Sequence, residues 1–257
     1  MRLVMTAAPE AGPGIHVQIT RGASVCCYVP TVYTLEDGVA VIRMDDGKAN
    51  ALSVAMIDGL LEALTRAESE AKAIVLAGRD ERFCAGFDLR VMMSGPEHAT
   101  ALLKRGSELL MRLYETPLPL VIACTGHALA GGALVVLTGD VRIGAAGAFK
   151  IGLNEVQIGL PVPVLAMELA RDRLTKTELH RATLLATIYA PDDALRAGYL
   201  DEVVAAGELM ARAKAEAMRL GALPNGAYKA TKARLRGATI EHIRVSLERD
   251  MASIMSK

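Results

Sequence analysis

Gly126-His-Ala-Leu-Ala-Gly-Gly-Ala-Leu-Val-Val-Leu-Thr-Gly-Asp-Val-Arg-Ile-Gly144, followed by Phe149-Lys-Ile-Gly-Leu-Asn-Glu-Val-Gln-Ile-Gly-Leu160, is the stretch that decides the fold. It reads as a strand that turns through a glycine pair into a short apolar helix, then as a segment that delivers one carboxylate, Glu155. Glycines at the mouth of a helix let a ligand reach backbone N–H groups that are unpaired there and sit at the positive end of the helix dipole. A carboxylate in apolar surroundings is a candidate base, because burial disfavours its charged form and raises its pKa. Bare donors beside one base predict proton-transfer chemistry.

Working outward, Val39–Met44, Ala73–Gly78, Leu120–Cys124 and Val141–Ile143 are apolar runs without polar alternation, as expected for a largely parallel sheet covered on both faces. Between them lie helical patterns. Ser53 is placed to cap a helix carrying Met56, Ile57, Leu60, Leu61 and Leu64, and Leu102 to Leu113 mark another, closed by Pro117. The alternation has no fixed period, so a regular solenoid is not indicated. Arg79–Arg82 reads as a polar loop, and from Leu165 onward the chain reads as helical. The last helix bears Ile240, Ile243, Leu247, Met251 and Ile254, a stripe that either folds back on its own core or buries against a neighbouring subunit. Residues 1–31 form an N-terminal extension with at most one short strand, His16–Thr20; 32–190 form the core and 191–257 a helical C-terminal region.

Composition removes several function classes. The 257 residues suit one large domain, or one domain with an appended helical piece. Lys plus Arg and Asp plus Glu both number 29, so no polyanion partner is suggested, and with no Trp and 4% aromatics there is little to stack on bases. Cys26, Cys27, Cys84 and Cys124 form no C-x-x-C pair, which fits free thiols in a reducing compartment. No apolar run reaches membrane-spanning length and no signal-peptide core forms, so a soluble, cytoplasmic protein is expected. The five histidines show no ligand spacing, and no metal is expected.

Three constellations carry chemistry. In Cys84-Ala-Gly-Phe-Asp-Leu89, the small Ala85 and Gly86 would let the backbone of Phe87 turn its N–H toward a bound carbonyl; alternatively this is a tight turn with Asp88 as a cap. In Ala128-Leu-Ala-Gly-Gly132, the Gly131 N–H would be a second donor; alternatively the glycines permit close helix–strand packing. Two such donors aimed at one oxygen suit an enolate formed beside a thioester, where losing one typically costs about 3–4 kcal/mol of barrier. Glu155 is the third, read either as a base or as a surface turn residue paired with Lys150 or Arg142.

These segments, with Gly47-Lys-Ala-Asn-Ala-Leu-Ser53 and Arg82–Leu89, resemble the crotonase (enoyl-CoA hydratase/isomerase) superfamily from about Val32 to the C-terminus. The resemblance implies an α/β fold, a spiral of ββα units with a helical C-terminal trimerisation region, assembled as trimers or dimers of trimers. It implies an acyl-CoA thioester substrate, as in fatty acid metabolism, with an oxyanion hole made by the N–H groups of Phe87 and Gly131. Coenzyme A would enter with the substrate, bent along Lys48, Ala49 and Leu52 and along Ala85, Gly86, Asp88 and Leu89, with Lys48 at a phosphate. No separate cofactor is implied. Asn154 would contact the acyl chain or hold the glutamate.

One departure bears on the reaction. Hydratases of this superfamily use two glutamates, and here the first position, on the glycine-opened helix, is Leu134. One carboxylate suits the shuttling of one proton, and the Ala-Gly-Gly-Ala-Leu-Val-Val-Leu-Thr and Ile-Gly-Leu-Asn-Glu stretches are similar to the mitochondrial-type Δ3,Δ2-enoyl-CoA isomerases. The expectation is an isomerase using Glu155 as its shuttle. The alternatives are a hydratase (a lyase), a hydrolase or a decarboxylase of the same fold and, more distantly, a non-catalytic RNA-binding member. For the last, Lys229, Lys232, Arg234 and Arg236 offer a small basic cluster, otherwise read as a solvated face or a CoA phosphate contact.

Overall fold

Asp37-Gly38, between two apolar runs, takes positive φ at both positions (51° and 77°), the turn that best matches the twist of paired strands. It joins β1 (Thr31–Glu36) to β2 (Val39–Met44) as an antiparallel hairpin. A computed structural model describes residues 30–255; the strand expected over His16–Thr20 lies outside them. Ser53 caps α1 (Val54–Glu70), its Oγ accepting the Met56 N–H at 3.3 Å. The helix returns the chain to β3 (Ala73–Ala77), which lies parallel to β2.

From there the chain repeats one pattern: a strand in a large sheet, a strand in a small one, then helix. The first turn runs through β3, β4 (Glu81–Cys84), a short α2 (Leu89–Met92) and α3 (Pro96–Glu115). The second runs through β5 (Leu120–Cys124), β6 (Gly126–Leu129) and α4 (Gly131–Thr138). The third uses β7 (Val141–Ala145), β8 (Ile151–Gly152), a 3-10 turn Val156–Ile158 and α5 (Val164–Arg173). α6 (Lys176–Thr183), α7 (Pro191–Ala197), β9 (Glu202–Val204), α8 (Leu209–Gly221) and α9 (Asn225–Met255) follow. The large sheet has the order β1-β2-β3-β5-β7-β9 and is parallel beyond the hairpin; β4-β6-β8 form the small parallel sheet. This is the ββα spiral that the resemblance implies.

The two faces of the large sheet are sorted by the period-two alternation of side chains. Ile42, Leu76 and Ile122 enter the main core with α1, α3 and α4, whereas Val41, Val75, Val121 and Ile143 meet Leu209, Ala213, Ala217 and Leu220 of α8. No described helix is long and apolar enough to cross a membrane.

Three expectations change. Glu81 and Arg82 belong to β4 rather than to a polar loop, and β9 adds a strand to the region read as helical. Both strands are too short to show a period, and Glu81 and Arg82 are exposed. The stripe on α9 turns toward its own chain as far as Leu247: Ile243 is fully buried and Ile240 packs on the same core. The basic cluster is not one solvated face, because Lys232 and Arg236 are buried and both pair with Asp140, at 2.7 and 2.8 Å.

Candidate active site

Two turns, one after β4 and one after β6, converge. In the first, the Leu52 N–H donates to Gly86 O at 2.8 Å and the Asp88 N–H donates to Leu52 O at 3.3 Å. The peptide groups on both sides of Phe87 thus face Leu52, and the Phe87 N–H points the other way, as alternate groups along an extended chain do. The Ala85 N–H donates to Ala49 O at 3.1 Å, so Ala49–Leu52 and Ala85–Asp88 are zipped together. Gly86 has φ 93°, and a Cβ there would lie 3.3 Å from the Gly131 nitrogen.

The second turn opens α4. Gly131 is its first residue, so its N–H has no acceptor within the helix. A Cβ on Gly131 would lie 3.1 Å from the Phe87 ring, which places the two candidate donor residues side by side. Gly132 has a different duty: a Cβ there would sit 2.0 Å from the backbone oxygen of Cys84, so α4 reaches β4 only because this residue is glycine. The packing reading holds for Gly132, while Gly131 stands at the mouth of the helix beside Phe87.

Glu155 follows β8 at the start of the 3-10 turn and is 8% exposed. Among the described residues its Oε2 has no hydrogen-bond partner, and neither has the buried Oδ1 of the adjacent Asn154. Burial pushes the Glu155 carboxyl above the ordinary glutamate range, and a backbone N–H only partly offsets it. The surface reading fails because Glu155 is buried, and neither proposed partner pairs with it among the described residues: Lys150 is exposed and Arg142 is held by Asp201 at 2.5 Å. Glu155 and Asn154 face a cavity of about 490 Å³ whose other walls are mostly apolar. Ala85, Phe87, Leu89, Ala130 and Leu134 share it.

The residues singled out in the sequence do not all meet there. Leu52, Gly86 and Gly131 belong to the two turns but are not among the residues lining the cavity, and Asp88 serves as the cap of α2, its carboxylate accepting the Arg90 N–H at 2.9 Å and pairing with the Arg90 side chain. Lys48 is exposed in the Asp45–Asn50 turn and does not line the cavity. Leu134 is buried and lines the cavity with Glu155, an aliphatic group where a second carboxylate would stand. His127 is structural: its Nδ1 accepts the Lys150 N–H at 3.0 Å and its ring meets Phe149 edge-on. Among the described residues no group of three or more His, Cys, Asp or Glu is placed to hold a metal.

The enoyl-CoA hydratase/isomerase family profile matches residues 34–252. The chain belongs to this family. Its sequence is 32% identical over 224 residues to human mitochondrial enoyl-CoA delta isomerase 1, covering 85% of this chain and 74% of that protein. It is also 32% identical over 203 residues to a probable enoyl-CoA hydratase of Rhodobacter capsulatus, covering 78% of each. The structure of an enoyl-CoA hydratase/isomerase family protein from Pseudomonas syringae matches with a TM-score of 0.85 at 39% identity, over 88% of this chain and 98% of that one. The fold is therefore that of the crotonase enzymes, and the relatives divide on the reaction.

Part of the cavity wall was not visible in the sequence. Met92, Met93, Leu103 and Ser107 of the α2–α3 region wall the cavity on one side, and Leu247 and Asp250 of α9 also line it. Asp250 accepts the Val164 N–H at 2.6 Å, capping α5 from far along the chain. Asn50 is a second such residue. Fully buried with φ 54°, its amide reaches the carbonyls of Met44, Arg82 and Phe83 and locks the Lys48–Leu52 segment onto β4. Nothing local marks such partners, because they arrive from tens of residues away.

Proposed function

We propose that this protein is a Δ3,Δ2-enoyl-CoA isomerase with Glu155 as its single proton shuttle. The observation that carries the reading is the unpartnered Oε2 of Glu155, buried in an apolar cavity that it shares with Leu134 and that the Phe87 and Gly131 turns border. A buried acceptor without a partner is costly in a finished core and useful in a site that waits for a proton. In the proposed reaction Glu155 takes a proton from C2 of a 3-enoyl-CoA. The C2–H electron pair moves into the conjugated system, and negative charge collects on the thioester oxygen. The Phe87 and Gly131 N–H groups stabilise that oxygen as it becomes charged. Protonated Glu155 then returns the same proton to C4, giving the 2-enoyl thioester with no net change of atoms.

Leu134 supports isomerase over hydratase, because hydration asks one group to activate water and another to protonate carbon. The hydratase reading has its own support in the Rhodobacter relative, which has the same 32% identity over a somewhat shorter stretch, 203 residues against 224. A panel of saturated, 2-enoyl, 3-enoyl and malonyl-type CoA thioesters separates the readings. Isomerisation of the 3-enoyl substrate with little hydration of crotonyl-CoA is the expected result, and fast hydration without isomerisation would replace our reading with the second.

The same reading places coenzyme A along the zipped Ala49–Leu52 and Ala85–Asp88 segments, with the exposed Lys48 at a phosphate and Asn154 beside the acyl chain. We also infer a homotrimer or dimer of trimers in the cytoplasm. Leu184 and Leu185 are each 59% exposed, and Gln157, two residues after Glu155, donates to Ala186 O beside them. Light scattering that gave a monomer would remove the oligomer from this account.

A further inference from the structure

Four helices in this protein start from the same backbone conformation. Ser53, Pro163, Thr175 and Ala190 precede their helices with φ between −61° and −82° and ψ between 148° and 166°, ordinary extended backbone. Ala130, which precedes α4, has φ 47° and ψ −120°. That is the first central position of a type II′ turn, a conformation that glycine adopts freely and an L-residue with a Cβ does not. The other non-glycine residues with positive φ, Asp37, Asn50, Glu81 and Ala186, lie between 49° and 62°. Ala130 differs in that it sits beside the donor residue and lines the cavity.

The strain is held in place from both ends. The Ala130 N–H donates to Gly152 O at 3.0 Å, and the Ala130 carbonyl accepts the Leu134 N–H at 3.0 Å. Its methyl lies 3.2 Å from the point where a Cβ on Gly86 would stand, so Gly86 leaves it room. Strained conformations persist where surrounding bonds over-determine them, and they gather at working sites. What this strain controls follows from geometry. The N–H of a residue lies in the peptide plane that the preceding ψ rotates, so ψ of Ala130 sets the direction of the Gly131 N–H. A value of −120° swings that plane about a quarter turn from where the four ordinary helix starts would leave it.

We propose that Ala130 is a positioning residue: its strained backbone, pinned between Gly152 and Leu134, aims the Gly131 N–H at the carbonyl oxygen of the bound thioester. The inference rests on the acyl-CoA reading above. Alanine serves better than glycine here because its methyl narrows the accessible backbone states, so the donor keeps one direction where a glycine would let it swing.

The test compares the wild type with Ala130→Gly and with Asp37→Gly, which relieves a positive φ in the distant β1–β2 turn. The readouts are melting temperature, kcat and KM on a 3-enoyl-CoA, and the fraction of bound acetoacetyl-CoA present as its enolate, read from its near-ultraviolet absorbance. Ala130→Gly is expected to raise the melting temperature while lowering the enolate fraction and lowering kcat about ten-fold, with KM held within about two-fold, a partial version of losing an oxyanion donor. Asp37→Gly is expected to leave kcat and the enolate fraction as in the wild type. An unchanged enolate fraction and kcat in Ala130→Gly would overturn the proposal, as would a fall in melting temperature, which would show that there was no strain to release. Loss of kcat in Asp37→Gly would overturn the assignment to this turn. An enolate signal absent even from the wild type would instead overturn the acyl-CoA reading, and this proposal with it.

Discussion

Asp140 and Glu155 are two carboxylates withdrawn from water to a similar degree, and they have opposite lives. Asp140 accepts the Leu120 N–H at 2.8 Å and pairs with both Lys232 and Arg236. Burial works to raise its pKa, but the two cations outweigh it and hold the carboxyl below the ordinary range. Among the described residues Glu155 pairs with no cation and one of its oxygens has no partner, so burial outweighs a backbone hydrogen bond and lifts it. The contrast separates a carboxylate that holds the fold from one that, in the reaction we propose, exchanges a proton. Burial is common to both, and only the partner list tells them apart.

The comparison is tested hardest by removing each charge in turn. Glu155→Gln keeps the shape and deletes the base, and kcat on a 3-enoyl-CoA should fall at least 10²- to 10⁴-fold, the usual reach of general acid–base catalysis. The circular dichroism spectrum should be unchanged. Activity near wild type would remove Glu155 from the mechanism.

Asp140→Ala should do the reverse. It strands Lys232 and Arg236, both buried, and breaking a buried ion pair from one side costs about 3–5 kcal/mol of stability. The urea midpoint should fall sharply. Replacing all three charges with apolar residues of similar volume should recover much of the loss, because the desolvation cost disappears with the charges. A triple variant no better than Asp140→Ala would mean that the cluster is worth more than its own desolvation.

The two carboxylates were unequally legible in the sequence. Glu155 stands in a run of glycines and aliphatics, so its isolation could be read directly, as could the glycine pair at the start of α4 and the apolar strands of the large sheet. Nothing near Asp140 marks it, because its cationic partners lie 92 residues or more along the chain, on a helix whose basic residues could equally have faced solvent. The same distance hid Asp250 and Leu247 in the cavity wall. β8 and β9, of two and three residues, are shorter than any period that could reveal them. Local chemistry is written locally; partners supplied by topology are not.

Acid titration gives a smaller effect with opposite signs at the two sites. A base must be deprotonated to work, so the acid limb of kcat/KM should report an apparent pKa above the ordinary glutamate range, with activity rising as the pH climbs through it. Asp140, depressed in the folded state, contributes stability that is present above the unfolded aspartate pKa and lost only as the pH falls through the lower folded value. The wild type should therefore lose activity on acidification well before it loses the Asp140 contribution to its fold. An acid limb at the ordinary glutamate pKa would place Glu155 in a wetter setting than the cavity suggests.

The smallest expected effect is also the most counter-intuitive one. With its folded pKa raised, Glu155 binds its proton more tightly in the folded protein than in the unfolded chain. Its contribution is most favourable at pH values below the unfolded pKa, where both states are protonated, and it is lost as the pH rises through the folded value. Glutamine carries no charge to desolvate at any pH. Glu155→Gln should thus match the wild type in stability under mildly acidic conditions and exceed it at neutral and alkaline pH, so that the inactive enzyme is the more stable one. Denaturant midpoints measured for both proteins across that range decide the matter, because a gap that did not widen with pH would mean that the buried carboxylate costs the fold nothing.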